Sequence, residues 1–261
     1  MNAFELQIRQ LLSSFLITEK RDEFGFLNIA AQNVIFCLIT IDKAKFITDF
    51  DYFQLRKKEN PQSVFVWEDL WISKPEIVEQ RLLSLCGNAF SIAARDTRCV
   101  SIDNRAAKKF IAANHLHVYT KCQYRFALVY RFQIVAVATF SKGRNVLREN
   151  ENFRSFELIR YCSSLQTRVV GGMSKLLDAF IEQVHPDDIM TYLDLDWSKE
   201  GAYENLGFEK QDYRDPVTFL LNGVERVYDY KRNSSVIESL QTHRFANSGS
   251  LKMIKCLKKK I

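Results

Sequence analysis

The stretch Phe156-Glu-Leu-Ile-Arg-Tyr-Cys-Ser-Ser-Leu-Gln-Thr-Arg-Val-Val-Gly-Gly-Met-Ser-Lys175 decides the fold of this chain. It begins with an apolar strand over 156–161, passes through a short polar loop and paired glycines, and enters an amphipathic helix predicted over Gly172–Val184. Glycines let the backbone approach a ligand closely, and the free N–H groups of a first helical turn attract anions. The segment indicates an α/β fold with an anion site, although glycines at a helix start also serve plain packing.

The flanking sequence continues this alternation of strands and helices. Downstream, a strand is predicted over 189–195 and a helix over 199–205, with Tyr203 four residues before Gly207. Upstream, a helix over 103–114 precedes strands over 123–130 and 133–140, which the short Arg131-Phe132 connection joins as a hairpin. Asn222-Gly223 indicates a second hairpin. The pattern predicts a mixed sheet with flanking helices.

Composition supports a packed globular protein of one or two domains. The chain has 261 residues, of which 47% are hydrophobic and 26% charged, with only 9 Gly and 4 Pro, and this excludes fibrous and disordered classes. The longest uncharged apolar run starts at Val34 and is far shorter than the roughly 20 residues that span a bilayer. With no export signal at the N-terminus, we expect a cytoplasmic protein with no membrane segment. The six scattered cysteines are expected to be reduced thiols, with no metal site.

Basic charge is concentrated in one region. Residues 1–95 hold 11 basic and 12 acidic side chains, whereas the remainder holds 26 and 19. Ten basic residues and only three acids fall within 120–175. A polyanion such as nucleic acid, or a phosphate-bearing cofactor, would explain this charge, and so would a solvated face.

The order of elements around the glycines resembles the GNAT superfamily of N-acetyltransferases. In that superfamily an Arg/Gln-x-x-Gly-x-Gly/Ala loop grips the pyrophosphate of an acyl-coenzyme A (acyl-CoA), and a later Tyr-x-x-x-Gly-Phe helix lines the thiol end. This chain keeps the arginine and first glycine of the loop but has Met173 in place of the last small residue. The resemblance implies acetyl-CoA or another acyl-CoA as cofactor. The expected cofactor-binding residues are Arg168, Val169, Val170, Gly171, Gly172, Ser174 and Lys175.

A narrower resemblance covers about residues 95–256. The runs Ala113-Asn-His-Leu116, Ala138-Thr-Phe-Ser-Lys142 and Ser248-Gly-Ser-Leu-Lys252, with the segment quoted first, look like a GNAT-like domain of phage and mobile-element proteins. That domain is related to the Mom family of DNA adenine modifiers, and it usually has Gly where this chain has Val118. The resemblance implies DNA as a partner and a base amine as acceptor.

The N-terminal third resembles a nuclease fold. Val64-Phe-Val-Trp-Glu-Asp-Leu-Trp71, followed by Ile77-Val-Glu-Gln-Arg-Leu-Leu83, is similar to the closing strand and helix of very-short-patch-repair (Vsr-like) endonucleases. Such nucleases hold a divalent cation with carboxylates on two consecutive strands, and the strands at 26–30 and 35–39 carry none. We expect a degenerate nuclease-like domain over 1–94, without a metal, and a GNAT-like domain over 95–261.

Four residues are candidates for acid–base chemistry. His115, just past the predicted helix, is the preferred base or orienting group; the alternative is a histidine satisfied at a helix end. Asp194 and Asp196 would share one face of a strand, either to act on the nucleophile or to cap the next helix. Tyr203 would protonate the thiolate, as the resemblance implies, or pack beneath Gly207. His117, His185 and His243 have no comparable context.

The basic segment supplies candidates for contacts with substrate or nucleic acid. Arg160 lies on a predicted core strand, where an unpaired charge is costly, so it should pair with an acid or face a ligand. Aromatic residues interleave with the basic ones near 119–132, which suits either base stacking or an ordinary hairpin. The residues expected to contact substrate or nucleic acid are Arg144, Arg148, Arg154 and Arg160.

Two functional hypotheses follow. In the first, the chain is an acyl-CoA-dependent N-acyltransferase whose acceptor is an amine, such as a base amine in DNA. In the second, it is a DNA-binding accessory protein of a phage or mobile element without catalytic activity. A residual metal nuclease would need a carboxylate pair that the strands lack.

Overall fold

The computed structural model describes residues 2–44, 51–148, 151–198, 201–228 and 244–258. The chain forms two compact units, each assembled from separate segments. Unit 1 comprises 1–86, 193–199 and 213–251, and unit 2 comprises 87–192, 200–212 and 252–261. The sequence analysis divided the chain once, between residues 94 and 95, whereas two later segments belong to unit 1. Within the described ranges, no helix has the length and apolar content to cross a bilayer.

Unit 1 opens with a helix and a four-stranded sheet. The sheet order is β1-β2-β3-β4, in which β3 and β4 are parallel and the other neighbours antiparallel. The elements of its first segment are α1 Ala3–Leu12, β1 Ile17–Arg21, β2 Leu27–Ala31, β3 Val34–Ile39, α2 Ile41–Ala44, α3 Asp51–Glu59, β4 Ser63–Trp67, α4 Glu68–Ser73 and α5 Pro75–Leu85.

Aromatic packing brings the later segments into unit 1. Strands β14 Thr218–Asn222, β15 Glu225–Tyr228 and β16 Phe245–Ala246 form a three-stranded antiparallel sheet. Phe219 and Phe245 are buried in one cluster with Phe53 and Trp67 of the first segment. Burying large aromatic side chains is strongly favourable, and it explains why residues distant in sequence fold as one unit.

Unit 2 is built on a mixed eight-stranded sheet. Its strand order is β13-β17-β12-β10-β8-β7-β6, with β9 paired to β10. The elements are β5 Phe90–Ala93, a 3₁₀ turn Ala94–Asp96, β6 Arg98–Ser101, α6 Asn104–Asn114, β7 Tyr124–Tyr130, β8 Gln133–Phe140, β9 Arg144–Arg148, β10 Glu151–Ser163, β11 Thr167–Val170, α7 Gly172–Val184, β12 Asp188–Asp194, α8 Gly201–Glu204, β13 Glu209–Arg214 and β17 Ser250–Cys256. Strands β12, β13 and β17 each end or begin in unit 1.

Two helices cover opposite faces of this sheet. Helix α7 buries Phe180 among aromatic side chains that include Phe140 and Phe156. Helix α6 buries Ile111 against Ala127, Val137 and Cys162. Because alternate strand residues point to opposite faces, the two sets define an α7 face and an α6 face.

The structure confirms the mixed α/β class with flanking helices. The predicted helix Gly172–Val184 has its predicted bounds, and both predicted hairpins form. Five strands were missed: β1, β9, β11, β16 and β17. Strands β1 and β9 lack buried alternation, and β11 has four residues within the region predicted as a loop. The predicted helix over 199–205 has its first two residues outside the described ranges.

Candidate functional site

Paired glycines begin helix α7, and the two residues have different structural roles. Gly171 is the N-cap with φ +76°, a left-handed conformation that favours glycine. Gly172 has ordinary φ, but a Cβ there would lie 2.9 Å from the Cβ and Cγ1 of Val169. Since Gly171 has no side chain to cap the helix, the N–H groups of Gly172, Met173 and Ser174 remain as donors at the positive end of the helix dipole.

Strand β11 holds the segment that precedes these glycines. It pairs in parallel with β5, so that Arg168 lies opposite Ser91 and Val170 opposite Ala93. Val169 is buried, whereas Arg168 and Val170 are exposed. The arginine of the motif thus lies on a paired strand, with its side chain in solvent next to the start of α7.

Lys175 is bound to the protein itself. Its Nζ donates hydrogen bonds to the carbonyl oxygens of Ala94, at 2.9 Å, and Thr97. These carbonyls flank the 3₁₀ turn that follows β5, so the lysine fastens this turn to the first turn of α7. The expected phosphate contact would compete with these two hydrogen bonds.

Strands β10 and β12 separate close to this helix. They pair in parallel only from Ser155–Glu157 to Asp188–Met190, and the β10–β8 pairing shifts register between Leu158 and Arg160. Beyond that point Thr191 reaches the Leu158 carbonyl through its side-chain Oγ1, at 3.0 Å. A fork between two parallel strands exposes backbone groups to a ligand, and in unit 2 it opens beside the start of α7.

Glu157 stands at the last pair before the fork, opposite Met190. Its pKa is raised from its ordinary value because burial disfavours the charged carboxylate, and Arg144 and Arg160 partly oppose the rise. The sequence analysis did not select Glu157, although a carboxylate within an apolar strand was a signal. A half-buried carboxylate with a raised pKa is a stronger proton acceptor than an ordinary carboxylate.

Tyr161 is a second residue that the sequence analysis did not select. Its hydroxyl would lie 3.1 Å from a Cβ at Gly172, so it reaches the start of α7 from the sheet. Burial raises its pKa, which keeps the phenol protonated. It is a hydrogen-bond donor beside the backbone N–H groups of the helix.

His115 is the C-cap of helix α6. Its Nδ1 accepts a hydrogen bond from the backbone N–H of His117, at 2.9 Å. The same Nδ1 also lies 3.2 Å from the His117 carbonyl oxygen, so both backbone contacts of the ring are made at Nδ1, and the tautomer decides which ring nitrogen carries the proton. The loop that follows lies against Arg160, whose Nε donates to the Val118 carbonyl at 3.4 Å. Among the other histidines, His243 lies outside the described ranges.

Asp194 and Asp196 do not share a strand face, because β12 ends at Asp194. The Oδ1 atom of Asp194 accepts a hydrogen bond from the Asp196 backbone N–H, at 2.9 Å. Asp196 is buried in unit 1 and accepts hydrogen bonds from Trp67 Nε1 at 3.1 Å and from Ser248 Oγ at 2.5 Å. Burial, reinforced by Asp194, raises its pKa to about 6, against the hydrogen bonds from Ser248 and the charge of Arg226.

Tyr203 lies on the short helix α8. Its ring packs edge-on against Phe208, with centroids 5.7 Å apart and an interplanar angle of 80°. This contact matches the packing alternative of the sequence analysis, and the role as proton donor stays a prediction.

The four predicted arginines contact the protein in different ways. Arg148 pairs with the buried Asp188 at 3.0 Å. Arg154 donates to the carbonyls of Val184 and His185 at the end of α7, where a cation suits the helix dipole. Arg160 also contacts Thr120 Oγ1, at 3.3 Å. Arg144 is exposed and donates to the thioether Sδ of Met190 at 2.9 Å.

Unit 1 contains an open cavity of about 440 Å³ over strands β1 to β3. Asn28 and Cys37 face each other across β2 and β3 and line the cavity with Asp22. The Asp22 carboxylate accepts hydrogen bonds from the Phe26 backbone N–H at 2.9 Å and from Tyr52 at 2.8 Å. Within the described residues, no three His, Cys, Asp or Glu side chains are grouped as metal ligands.

No protein-family model matches the chain, and no curated protein matches it either. Among solved structures, it is similar to a histone acetyltransferase HPA2 and related acetyltransferase from Corynebacterium glutamicum. The identity is 14% over 64% of this chain and 99% of that chain, with a TM-score of 0.39. It is also similar to the ribosomal-protein-S18-alanine N-acetyltransferase of Escherichia coli, at 12% identity over 63% and 96% of the chains and a TM-score of 0.41. A third similar structure is a GNAT family acetyltransferase from Elizabethkingia anophelis with acetyl-CoA bound. Its identity is 10% over 62% of this chain and 99% of that chain, with a TM-score of 0.36.

Proposed function

We propose that unit 2 is a GNAT-type N-acyltransferase that uses an acyl-CoA. The observation that carries the proposal is the start of α7 beside the fork between β10 and β12. A helix N-terminus suits a pyrophosphate, and a fork between strands offers backbone groups to an acyl chain. The sequence resemblance to the GNAT superfamily supports the same interpretation.

The cofactor would be held mainly by backbone groups. The N–H groups of Gly172, Met173 and Ser174 are the donors for the pyrophosphate, and Arg168 supplies a neighbouring cation. Because Gly171 and Gly172 have no side chains, these backbone groups stay accessible. Val169, which is buried, fixes the preceding strand in the core. A bound acyl-CoA supplies the activated thioester.

Acyl transfer requires that the amine lose a proton and that the departing thiolate gain one. Glu157 is the carboxylate at the fork, and we assign it the role of accepting the proton of the amine. His115 and Asp194 remain predictions for orienting the nucleophile. Tyr203 remains the proposed donor to the thiolate, as the resemblance implies.

Calorimetric titration with acetyl-CoA tests the cofactor assignment. Ser174→Asp places a negative charge in the first turn of α7, where it suits the helix dipole but repels a pyrophosphate. We expect it to weaken binding about tenfold or more, equivalent to about 1.4 kcal/mol. Ser174→Asn, which has a similar size and no charge, should bind within about threefold of the wild type. If the wild type does not bind acetyl-CoA, the proposed function is wrong.

The finer proposal is that the acceptor is a base amine in DNA, in a Mom-related protein with a degenerate Vsr-like domain. The basic segment 120–175 supports a nucleic-acid partner. Mass spectrometry of DNA nucleosides from cells expressing the wild type should show an acylated nucleoside that is absent with Glu157→Gln and unchanged with the control Glu182→Gln. An unchanged nucleoside profile in the wild type contradicts this acceptor.

The second candidate is a DNA-binding accessory protein without catalytic activity. It is favoured by the excess of basic residues over 120–175 and predicts binding that weakens steeply with salt. Of the predicted arginines, Arg148 and Arg154 serve internal contacts, so neutralising Arg144 together with the exposed Lys121 and Lys142 is the sharper test. Salt-dependent DNA binding without acetyl-CoA binding would favour this candidate.

A further inference from the structure

Three charged side chains and a methionine lie on the side of the fork that faces α6. We call them the Arg144 cluster and define it as Arg144, Glu157, Arg160 and Met190. Arg144 lies opposite Ser155 in the β9–β10 pairing, and Ser155 and Glu157 point to one face because they alternate along β10. Glu157 lies opposite Met190. The Arg144 guanidinium contacts Met190 Sδ at 2.9 Å, so these side chains meet.

Arg160 joins the cluster from the next part of β10. It lies opposite Thr139, after the register shift, and its charge acts on Glu157 together with that of Arg144. Its guanidinium is anchored to the Val118 carbonyl at 3.4 Å and to Thr120 Oγ1 at 3.3 Å. The cluster therefore consists of one carboxylate and two guanidinium groups whose charges both act on it.

The two arginines differ in what they can still bind. Arg160 is held by oxygen acceptors, whereas the contact of Arg144 is with a thioether, which is a weak acceptor. Arg144 is also exposed. Its planar guanidinium has five N–H donors and matches a carboxylate or phosphate through two parallel hydrogen bonds.

Charge decides which amine fits beside Glu157. An amine that enters as an ammonium ion is attracted to the carboxylate, but the two arginines repel any further positive charge. A negative group on the same molecule would instead bind Arg144. Once Glu157 has accepted the proton of the amine, both guanidinium groups remain charged and favour an anionic acceptor even more.

We propose that the acceptor is an amine that carries a phosphate or carboxylate group, with Arg144 binding this anion while Glu157 faces the amine. The proposal rests on the acyltransferase function proposed above. In the transfer step, the amine nitrogen forms a bond to the acyl carbon and the carbon–sulfur bond of the thioester breaks. The proton of the amine passes to Glu157, and the thiolate leaves with the sulfur electrons and takes up a proton. Burial of Glu157, which raises its pKa, is consistent with this role.

Matched pairs of amines test the proposal, with product formation from acetyl-CoA measured by mass spectrometry. The pairs are phosphoethanolamine with ethanolamine, β-alanine with 1,3-diaminopropane, and deoxyadenosine monophosphate with deoxyadenosine. The first two separate phosphate from carboxylate as the recognised anion, and the third tests a nucleotide. We expect kcat/KM for at least one anionic member to exceed that of its partner about tenfold or more.

The variant Arg144→Gln should raise KM for the preferred anionic amine about tenfold. It should not raise KM for the partner without the anion, because Arg144 only repels additional positive charge. Arg105→Gln is the control. It removes an exposed arginine on α6, outside the Arg144 cluster, and should change the KM of neither amine. Calorimetry with acetyl-CoA separates the two levels of the proposal. If acetyl-CoA does not bind, the proposed function fails. If it binds but the anionic amines are not acylated, are not preferred, or respond equally to both variants, the proposed acceptor class is wrong.

Discussion

Gly172 occupies a position where a side chain does not fit. A Cβ would lie 2.9 Å from Val169 and 3.1 Å from the Tyr161 hydroxyl, so we expect Gly172→Ala to destabilise unit 2 by about 1–3 kcal/mol. Gly201→Ala is the control, because the atom nearest to its Cβ would be 3.9 Å away and alanine favours helices. Thermal unfolding followed by circular dichroism should show a lower Tm for the first variant only. Equal Tm values would contradict the packing described for α7.

Asp196 should make the stability of unit 1 depend on pH. Its folded pKa of about 6 exceeds the ordinary value of 3.8, so the folded state binds the proton more tightly. The stabilisation from this proton is present below about pH 4 and is lost as the pH rises towards about 6. The advantage of the wild type over Asp196→Asn should therefore be larger at pH 4.5 than at pH 7.

Urea unfolding followed by tryptophan fluorescence measures this difference, because Trp67, Trp71 and Trp197 all belong to unit 1. Asp212→Asn, at an exposed position on β13, is the control and should show no such pH dependence. A stability difference between wild type and Asp196→Asn that stays constant from pH 4.5 to 7 would show that Asp196 titrates normally.

At the junction of α7 with the 3₁₀ turn, one residue should affect stability and a neighbouring one cofactor binding. Lys175→Met leaves the carbonyls of Ala94 and Thr97 without their donor, and we expect a loss of about 1–3 kcal/mol in stability. Arg168→Ala, on the exposed side of β11, should instead weaken acetyl-CoA binding and leave the Tm within about 2 °C. Scanning calorimetry and titration calorimetry on both variants check this contrast. A Lys175→Met protein with unchanged Tm and weaker cofactor binding would return Lys175 to the phosphate site.

In the whole molecule, a buried ion pair links two separate segments of unit 1. Arg226 on β15 binds both carboxylate oxygens of Asp69, at 2.6 and 3.1 Å, and stacks over the rings of Trp67 and Phe219. Arg226→Met removes the charge and leaves Asp69 buried without its cation, which costs about 3–5 kcal/mol.

Adding Asp69→Asn should restore a large part of this stability, because the buried negative charge is then gone. The wild type, the two single variants and the double variant are unfolded in urea and followed by tryptophan fluorescence. The four free energies of unfolding give the coupling energy of the pair. If the losses from the two single substitutions simply add in the double variant, the ion pair does not hold the later segments in unit 1.

Local sequence pattern was sufficient to predict the main helices and the central hairpin. Apolar spacing, the paired glycines and the short Arg131-Phe132 connection located α6, α7 and the central hairpin, because helix and strand periods are visible within short windows of sequence. Strand β11 was missed because, within the described part of the chain, it pairs with β5, more than seventy residues earlier. A short strand is formed by its partner, and a partner so distant leaves no local trace.

The candidate site shows the same division. The quoted stretch sufficed to predict the paired glycines at the start of α7, because the glycines and the helix lie within one window of sequence. Only the tertiary structure brought the charges of Arg144 and Arg160 to act on Glu157. It also used Lys175 and Arg154 for internal hydrogen bonds and carried the Asp196 turn into unit 1. The physical reason is that charges and hydrogen bonds join residues that are distant in sequence but close in space. The periodic spacing that predicts helices and strands involves only residues close in sequence.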